Sequence, residues 1–408
     1  MLNRIALTLV FTLSFLTYLT ADLSVTVQAA PLVFFAGLVF CRVFFSRRVL
    51  SAVRSLWASD SLAFVLFLSL LLVGASIQSP VDNSWEFALL LAASLVLARL
   101  YTAVVPVEEV LEAFFWSAVV SVVIFVPVSL AGFLEAVSTS ARFSPFSFHP
   151  NLLGFVFAGY FCAMVWKFML GDWRTKILSG VLGVICLAVI FFASSRGSIL
   201  GIVSASAVVA GIAIARRARD RRLPWPRIAI VAMVLLALGY RVQSSPWVAD
   251  SYDFVDRVLE LSDSYRGVDT GLSGRFDKWR GTMSVFSDGT WLSGHGMRSS
   301  DSIEQGIDNS YLVLLYEVGL IPVLLIGVRF AGVVARFLMA YARSRDHHVG
   351  SVELACSLLA LAFVVNNTTA RYLLSVGNPY SLLALLFFVS PANHRSGPSP
   401  EMMHTVSA

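Results

Sequence analysis

From Ile177 to Ala215 the chain reads ILSGVLGVICLAVIFF, then ASSRGS, then ILGIVSASAVVAGIAIA. Two apolar runs are joined by almost no loop, and the one charge between them is Arg196. A helix crossing a bilayer needs roughly 20 mostly apolar residues, so this stretch predicts two spans, 175–194 and 198–215, turning sharply at the membrane surface. Arg196 then lies at or just below that surface. An arginine at mid-bilayer costs on the order of 2.5–3.5 kcal/mol on insertion scales, and intramembrane charge marks function by default. Snorkelling of the side chain to the interface is the alternative reading.

The rest of the chain follows the same pattern. Of its 408 residues 57% are hydrophobic and 13% charged, with a mean hydropathy of +0.78. A soluble chain is about a quarter charged, and a soluble fold cannot bury this much apolar surface. The sequence therefore predicts an all-α, polytopic integral membrane protein. Spans are expected near 4–20, 25–45, 61–78, 84–105, 110–132, 151–169, 175–194, 198–215, 228–243, 309–331, 352–369 and 373–390, about twelve helices. Residues 1–390 form one transmembrane domain, the large external loop 244–308 within it carries short helices, and 391–408 is a disordered cytoplasmic tail.

The net charge of +5 does not point to nucleic acid. Basic residues cluster in alternate short loops, around Arg42, Arg47, Arg48 and Arg54, then Lys167, Arg174 and Lys176, then Arg216 to Arg227, then Arg336, Arg343 and Arg345. The opposite short loops, near Asp22 and Asp82, are acidic or neutral. That is an orientation signal and predicts both termini cytoplasmic, with Glu108-Glu109 the exception to the pattern. The N-terminus has no small-residue cleavage site and reads as a retained first helix. Cys41, Cys162, Cys186 and Cys356 all fall in apolar runs and read as packing residues. No internal repeat is visible, which disfavours a transporter.

The loop 244–308 holds 11 acids against 6 bases. Within Ala249 to Ser262, Tyr252, Val255, Val258 and Leu259 share one helical face, as in an amphipathic helix lying on the membrane or the bundle. A second helix fits Ser273 to Phe286, with Ser273 as N-cap and Phe276, Trp279, Met283 and Phe286 at spacings of three and four. Arg275 would sit in its first turn, where the helix dipole already favours an anion. It is either a solvated loop residue or one half of a phosphate site. Arg142, Arg298 and Arg371 also fall on the outward side, and guanidinium forks suit a diphosphate.

Asp308, opening the tenth span, reads two ways: as an N-cap or as a general base toward a sugar hydroxyl. Glu317 reads as a satisfied polar residue between helices. His149 and His295 are the outward histidines, and neither has a partner at zinc-ligand spacing; no metal and no cofactor are expected.

Ser195-Arg196-Gly197, Ser273-Gly274-Arg275 with Trp279, Leu292-Ser293-Gly294-His295-Gly296, Asp308-Asn309-Ser310-Tyr311-Leu312 and Glu317-Val318-Gly319-Leu320-Ile321 come in this order, around one long external loop. Together they resemble the O-antigen ligase and polymerase superfamily of C-type membrane glycosyltransferases, as does Arg142 through Asn151. The resemblance covers about residues 140–325. It implies a metal-independent enzyme using a glycan on undecaprenyl diphosphate, on the outer face of the bacterial cytoplasmic membrane. It further implies that Arg196 and Arg275 hold the donor diphosphate, the leaving group, whose charge they stabilise. Asp308 is the candidate base, Arg142 and Arg298 are supporting contacts, and His149, His295, Asn309 and Tyr311 are substrate-binding candidates. A glycan or lipid acceptor, the bilayer, a chain-length regulator and a flippase are the implied partners. Ligases of this group typically carry His-Asn or His-Ser where this chain has Asp308-Asn309. The reading is therefore a polymerase of lipid-linked repeat units, ahead of a ligase acting on a lipid or protein acceptor, and ahead of a flippase or transporter of the same lipid-linked glycan.

Overall fold

The computed structural model describes residues 2–19, 25–45, 60–139, 142–146, 148–219, 246–262, 271–285, 291–303, 307–344, 347–375 and 377–390, and the regular structure among them is helical throughout. The helices are α1 Leu2–Leu16, α2 Val25–Phe45, α3 Asp60–Ile77, α4 Ser84–Val104, α5 Val107–Thr139, α6 Pro150–Leu170, α7 Trp173–Phe192, α8 Arg196–Arg219, α9 Pro246–Leu259, α10 Gly271–Val285, α11 Ser310–Val318, α12 Leu320–Arg343, α13 His347–Asn366 and α14 Pro379–Val389. Six of them, α4 to α8 and α12, are long and apolar enough to cross a membrane. Shorter apolar helices occupy the expected spans at α1, α2, α3, α13 and α14. The expected span 228–243 and the tail 391–408 lie outside the described residues.

The helices turn large apolar side chains outward: Leu70 and Val328 are 72% and 73% exposed. In water that would be a severe cost, whereas hydrocarbon accepts it. Several hydroxyls within the helices bond back to their own backbone, as Ser69 donates to Val65 O and Ser129 to Phe125 O, four residues back.

The centre of the bundle is α14, buried along its whole length and packed on α1, α4, α5, α6, α12 and α13. Its last carbonyls end inside the bundle. There Arg329 of α12 donates to Phe388 O at 2.9 Å and Ser390 O at 3.0 Å, filling acceptors that a helix end leaves open.

Two expected spans change shape. The span expected over 309–331 is broken at Gly319, whose φ of +82° ends α11 and starts α12. The span expected over 373–390 begins only at Pro379. Asn378-Pro379 is a helix start: Asn378 accepts from Ser381 N at 2.8 Å and Pro379 sits in the first turn.

The helix ends gather into two layers. At one end Lys167 pairs with Glu112 near Arg4, and Arg216 donates to the carbonyl of Ser344 and lies 4.9 Å over Tyr341. At the other end lie the connections 78–83, 142–146, 193–195, 291–303, 307–309 and 367–375, several of them joined by the contacts described below.

A candidate site at the loop-rich end

Arg196 is the first residue of α8 and half-buried. Its turn is held from two sides. Arg142 donates through Nε to Ala193 O at 2.8 Å and through a terminal nitrogen to Asn151 Oδ1 at 2.6 Å, while Phe143 N donates to Phe192 O at 2.8 Å. Arg142 thus closes the C-terminus of α7 and fixes where Arg196 begins. On the other side Gly197 meets Thr369 so closely that a Cβ would overlap its hydroxyl, and Asn366 donates to Ser198 Oγ at 3.0 Å.

The break at Gly319 is clasped by the segment 291–297. His295 N donates to Tyr316 O at 2.9 Å, Gly296 N to Glu317 O at 2.7 Å and Leu320 N to Trp291 O at 2.9 Å. A Cβ on Gly294 or on Gly319 would run into the backbone of the other segment. The two glycine-bearing motifs are therefore one structural device. His295 stacks on Tyr316, ring centroids 4.3 Å apart. The clasp is in turn tied to the α3–α4 connection, since Ser79 Oγ donates to His295 O at 2.7 Å and Met297 N donates to Ser76 Oγ at 3.1 Å.

Glu317 sits behind this clasp, 5% exposed. Ser300 Oγ donates to its Oε1 at 2.6 Å, and the backbone N–H groups of Arg298 and Ser300 also donate to it. The carboxylate thereby holds the turn that carries Arg298, itself at φ +66°.

Arg298 and Arg371 meet on one carboxylate. Arg298 Nε lies 2.7 Å from Asp301 Oδ2, and an Arg371 terminal nitrogen 3.0 Å from Asp301 Oδ1. Arg371 is brought there by the turn after α13, which is locked to α11: Ser310 Oγ lies 2.7 Å from both Asn367 Oδ1 and Ala370 O, one of which takes its proton, and Leu373 N donates to Ser310 Oγ at 3.2 Å. The arginine pair and Asp301 line a cavity of about 290 Å³ together with Ser300, Glu317, Leu90, Leu91, Val313 and Leu314. Phe87 also lines it, with the Arg298 guanidinium 4.4 Å above the ring.

Asp308 does not cap α11. Asn309 does, accepting from Tyr311 N at 2.9 Å and Leu312 N at 3.2 Å. Asp308 instead faces α10, 3.8 Å from Lys278 Nζ, on the helix that carries Arg275 one turn earlier. α10 begins at Gly271, so Ser273 lies inside the helix rather than at its cap, and Arg275 stands in the second turn, beyond the strongest reach of the helix dipole. Burial pushes the Tyr372 hydroxyl up, and the charges of Arg371, Asp308 and Arg142 all act on it. Tyr372 is thus a common neighbour of these groups.

Three of the expected substrate contacts are engaged in the fold. Asn309 caps α11. His149 caps α6 by accepting from Asn151 N at 3.3 Å. Tyr311 donates its hydroxyl to Val364 O at 3.0 Å. Asp301 and Ser300 were missed from sequence, although Arg298-x-x-Asp301 has the spacing of a one-turn ion pair.

Residues 181–327 match a family model described as O-antigen ligase. A comparison with curated proteins finds no match. The matched stretch takes in the Arg196 turn, α10, the Gly294–Gly319 clasp and Asp308, and the match supports the resemblance to the O-antigen ligase and polymerase superfamily.

Proposed function

We propose that the chain polymerises undecaprenyl-diphosphate-linked oligosaccharide repeat units into a surface polysaccharide, on the outer face of the bacterial cytoplasmic membrane and without a metal. The observation that carries this reading is Asp308. Asn309 takes over helix capping, which leaves the neighbouring carboxylate for another task, and it stands where ligases of the superfamily carry histidine.

In the reaction an acceptor sugar hydroxyl oxygen bonds to the anomeric carbon of the donor glycan. The bond from that carbon to the diphosphate oxygen breaks, and its electron pair leaves with the diphosphate. Asp308 takes the hydroxyl proton. Arg196 and Arg275 neutralise the charge growing on the leaving diphosphate, and Arg142 fixes the Arg196 turn. The basic loops at the opposite end support cytoplasmic termini.

A ligase passing glycan to a lipid or protein acceptor is the second reading, favoured by the description of the matched family. The test is the size distribution of surface glycan in cells lacking the gene, complemented with wild type or Arg275→Ala. A polymerase leaves a single capped repeat and loses the long-chain ladder. A ligase leaves long chains accumulating on the carrier lipid and none on the acceptor. Single units trapped on the carrier, reachable only from the cytoplasmic side, would make the chain a transporter.

A further inference from the structure

Asn366 ends α13 and Asn367 follows it, and both are buried, 2% and 0% exposed. Two adjacent amides inside a membrane bundle are unfavourable unless each is bonded, and here each is bonded to a different element. Asn366 donates through Nδ2 to Ser198 Oγ at 3.0 Å, and Ser198 Oγ lies 2.8 Å from Ser195 Oγ. These two serines bracket Arg196 at the start of α8. The Asn366 carbonyl accepts from Thr369 N at 3.0 Å and from the Thr369 hydroxyl at 3.1 Å, and Thr369 is the residue against which Gly197 rests.

Asn367 serves the other side. Its Oδ1 lies 2.7 Å from Ser310 Oγ and accepts from Tyr372 N at 3.1 Å. Its carbonyl accepts from Ser310 N at 3.1 Å, while its Nδ2 is tied back to Phe363 O at 2.8 Å. An amide is the side chain that can donate and accept at once in this way. Ser310 stands two residues after Asp308, as Ser198 stands two residues after Arg196. One helix end therefore holds both elements that carry the candidate chemistry. Hydrogen bonds between membrane helices add modestly to stability one by one, whereas a displacement of about 1 Å between reacting groups costs on the order of 10²-fold in rate. The weight of the pair falls on placement.

We propose that Asn366 and Asn367 are positioning residues, a strut at the end of α13 that sets Arg196 against Asp308 and so places the leaving diphosphate relative to the attacking hydroxyl. This rests on the polymerase reading, which gives Arg196 and Asp308 those roles. Both asparagines lie outside the stretch matched by the family model.

The test uses the full chain in lipid nanodiscs, with Cys41→Ser and with nitroxides at Leu200→Cys on α8 and Leu312→Cys on α11, the other cysteines being buried. The wild type should give one narrow distance. Asn366→Ala and Asn367→Ala should each broaden it. Ser198→Ala and Ser310→Ala cut the same bonds from the partner side and should broaden it likewise, which keeps the test open if an asparagine variant fails to fold. Asn378→Ala removes a buried cap of α14 and should lower the melting temperature without broadening that distance. With a lipid-diphosphate-linked repeat unit as substrate, kcat per folded molecule should fall about tenfold or more in each asparagine variant while KM stays within about threefold. Asn367→Ala combined with Ser310→Ala should lose little more than the worse single variant, because one contact is cut twice. A narrow distance kept in both asparagine variants, equal broadening in Asn378→Ala, an unchanged kcat or a loss confined to KM each overturns the proposal. The distance is read without substrate, so the two readings fail separately. Broadening in a chain with the glycan pattern of a ligase keeps the strut and removes the polymerase; an unchanged distance beside an Arg275-dependent ladder does the reverse.

Discussion

Glu317 carries three hydrogen bonds from the turn that bears Arg298, one from Ser300 Oγ and one each from the backbone N–H groups of Arg298 and Ser300. Glu317→Ala leaves those three donors without their acceptor, whereas Glu317→Gln keeps an acceptor oxygen in place. Amide exchange in 297–303 should therefore speed up clearly in Glu317→Ala and less in Glu317→Gln; equal protection in wild type and Glu317→Ala would refute the anchoring role. Asp308 and Asn309 separate by a different pair of readouts. Asn309→Ala removes a helix cap and should cost about 1 kcal/mol of stability with a modest loss of activity. Asp308→Asn gives up an ion pair that is partly exposed and weak, so its melting temperature should barely move. Its polymer output should fall by about 10²-fold or more, the usual range for a lost general base. Equal activity losses in the two variants would sink the assignment of Asp308.

At the scale of elements, the clasp between 291–297 and 316–320 explains why two short motifs far apart in sequence both depend on glycine. Gly319→Ala would place a Cβ at a φ of +82° and against the carbonyl of Leu292. A strained φ alone costs of order 1–3 kcal/mol, and the clash adds to it. Thermal unfolding in detergent should shift down by several degrees, together with loss of the Arg298 site; Gly327→Ala, in α12 with nothing near its Cβ position, is the control and should leave both unchanged. Hydropathy could not foresee this break. Apolar residues run on both sides of Gly319, so a window sees one span where the backbone makes two helices. The start of α10 was displaced for a related reason: Ser273 is a good cap by type, but the helix starts earlier, at Gly271. For α14 the residues Asn378 and Pro379 carry the start signal, which a search for one continuous apolar run over 373–390 passes over.

For the whole molecule, composition was enough to give an all-helical membrane protein, and span spacing was enough to list most helices, because burial in hydrocarbon leaves the backbone few choices. Of the candidate site, the gathering of arginines at one end of the bundle was legible and their partners only in part. Arg142 serves the α7 terminus, while Arg298 and Arg371 share a carboxylate that no spacing rule had joined to Arg371. Such pairing depends on the turn after α13 folding back on α11, a contact between residues about sixty positions apart. What the fold makes of this is a molecule with polar chemistry concentrated at one end and simple charge pairs, such as Lys167 with Glu112, at the other. If that polarity is oriented by the basic loops, the loop-rich end faces outward. Single cysteines at Asp82 and Ser302, exposed at the loop-rich end, and at Arg174, exposed at the other, test it in a chain whose own Cys162, Cys186 and Cys356 are buried and whose Cys41 is first changed to serine. A membrane-impermeant maleimide should label Asp82→Cys and Ser302→Cys in intact spheroplasts and Arg174→Cys only after permeabilisation. The reverse pattern would turn the molecule over, move Asp308 and all the arginines of the site to the cytoplasmic face, and leave the polymerase reading without access to an outward-facing glycan.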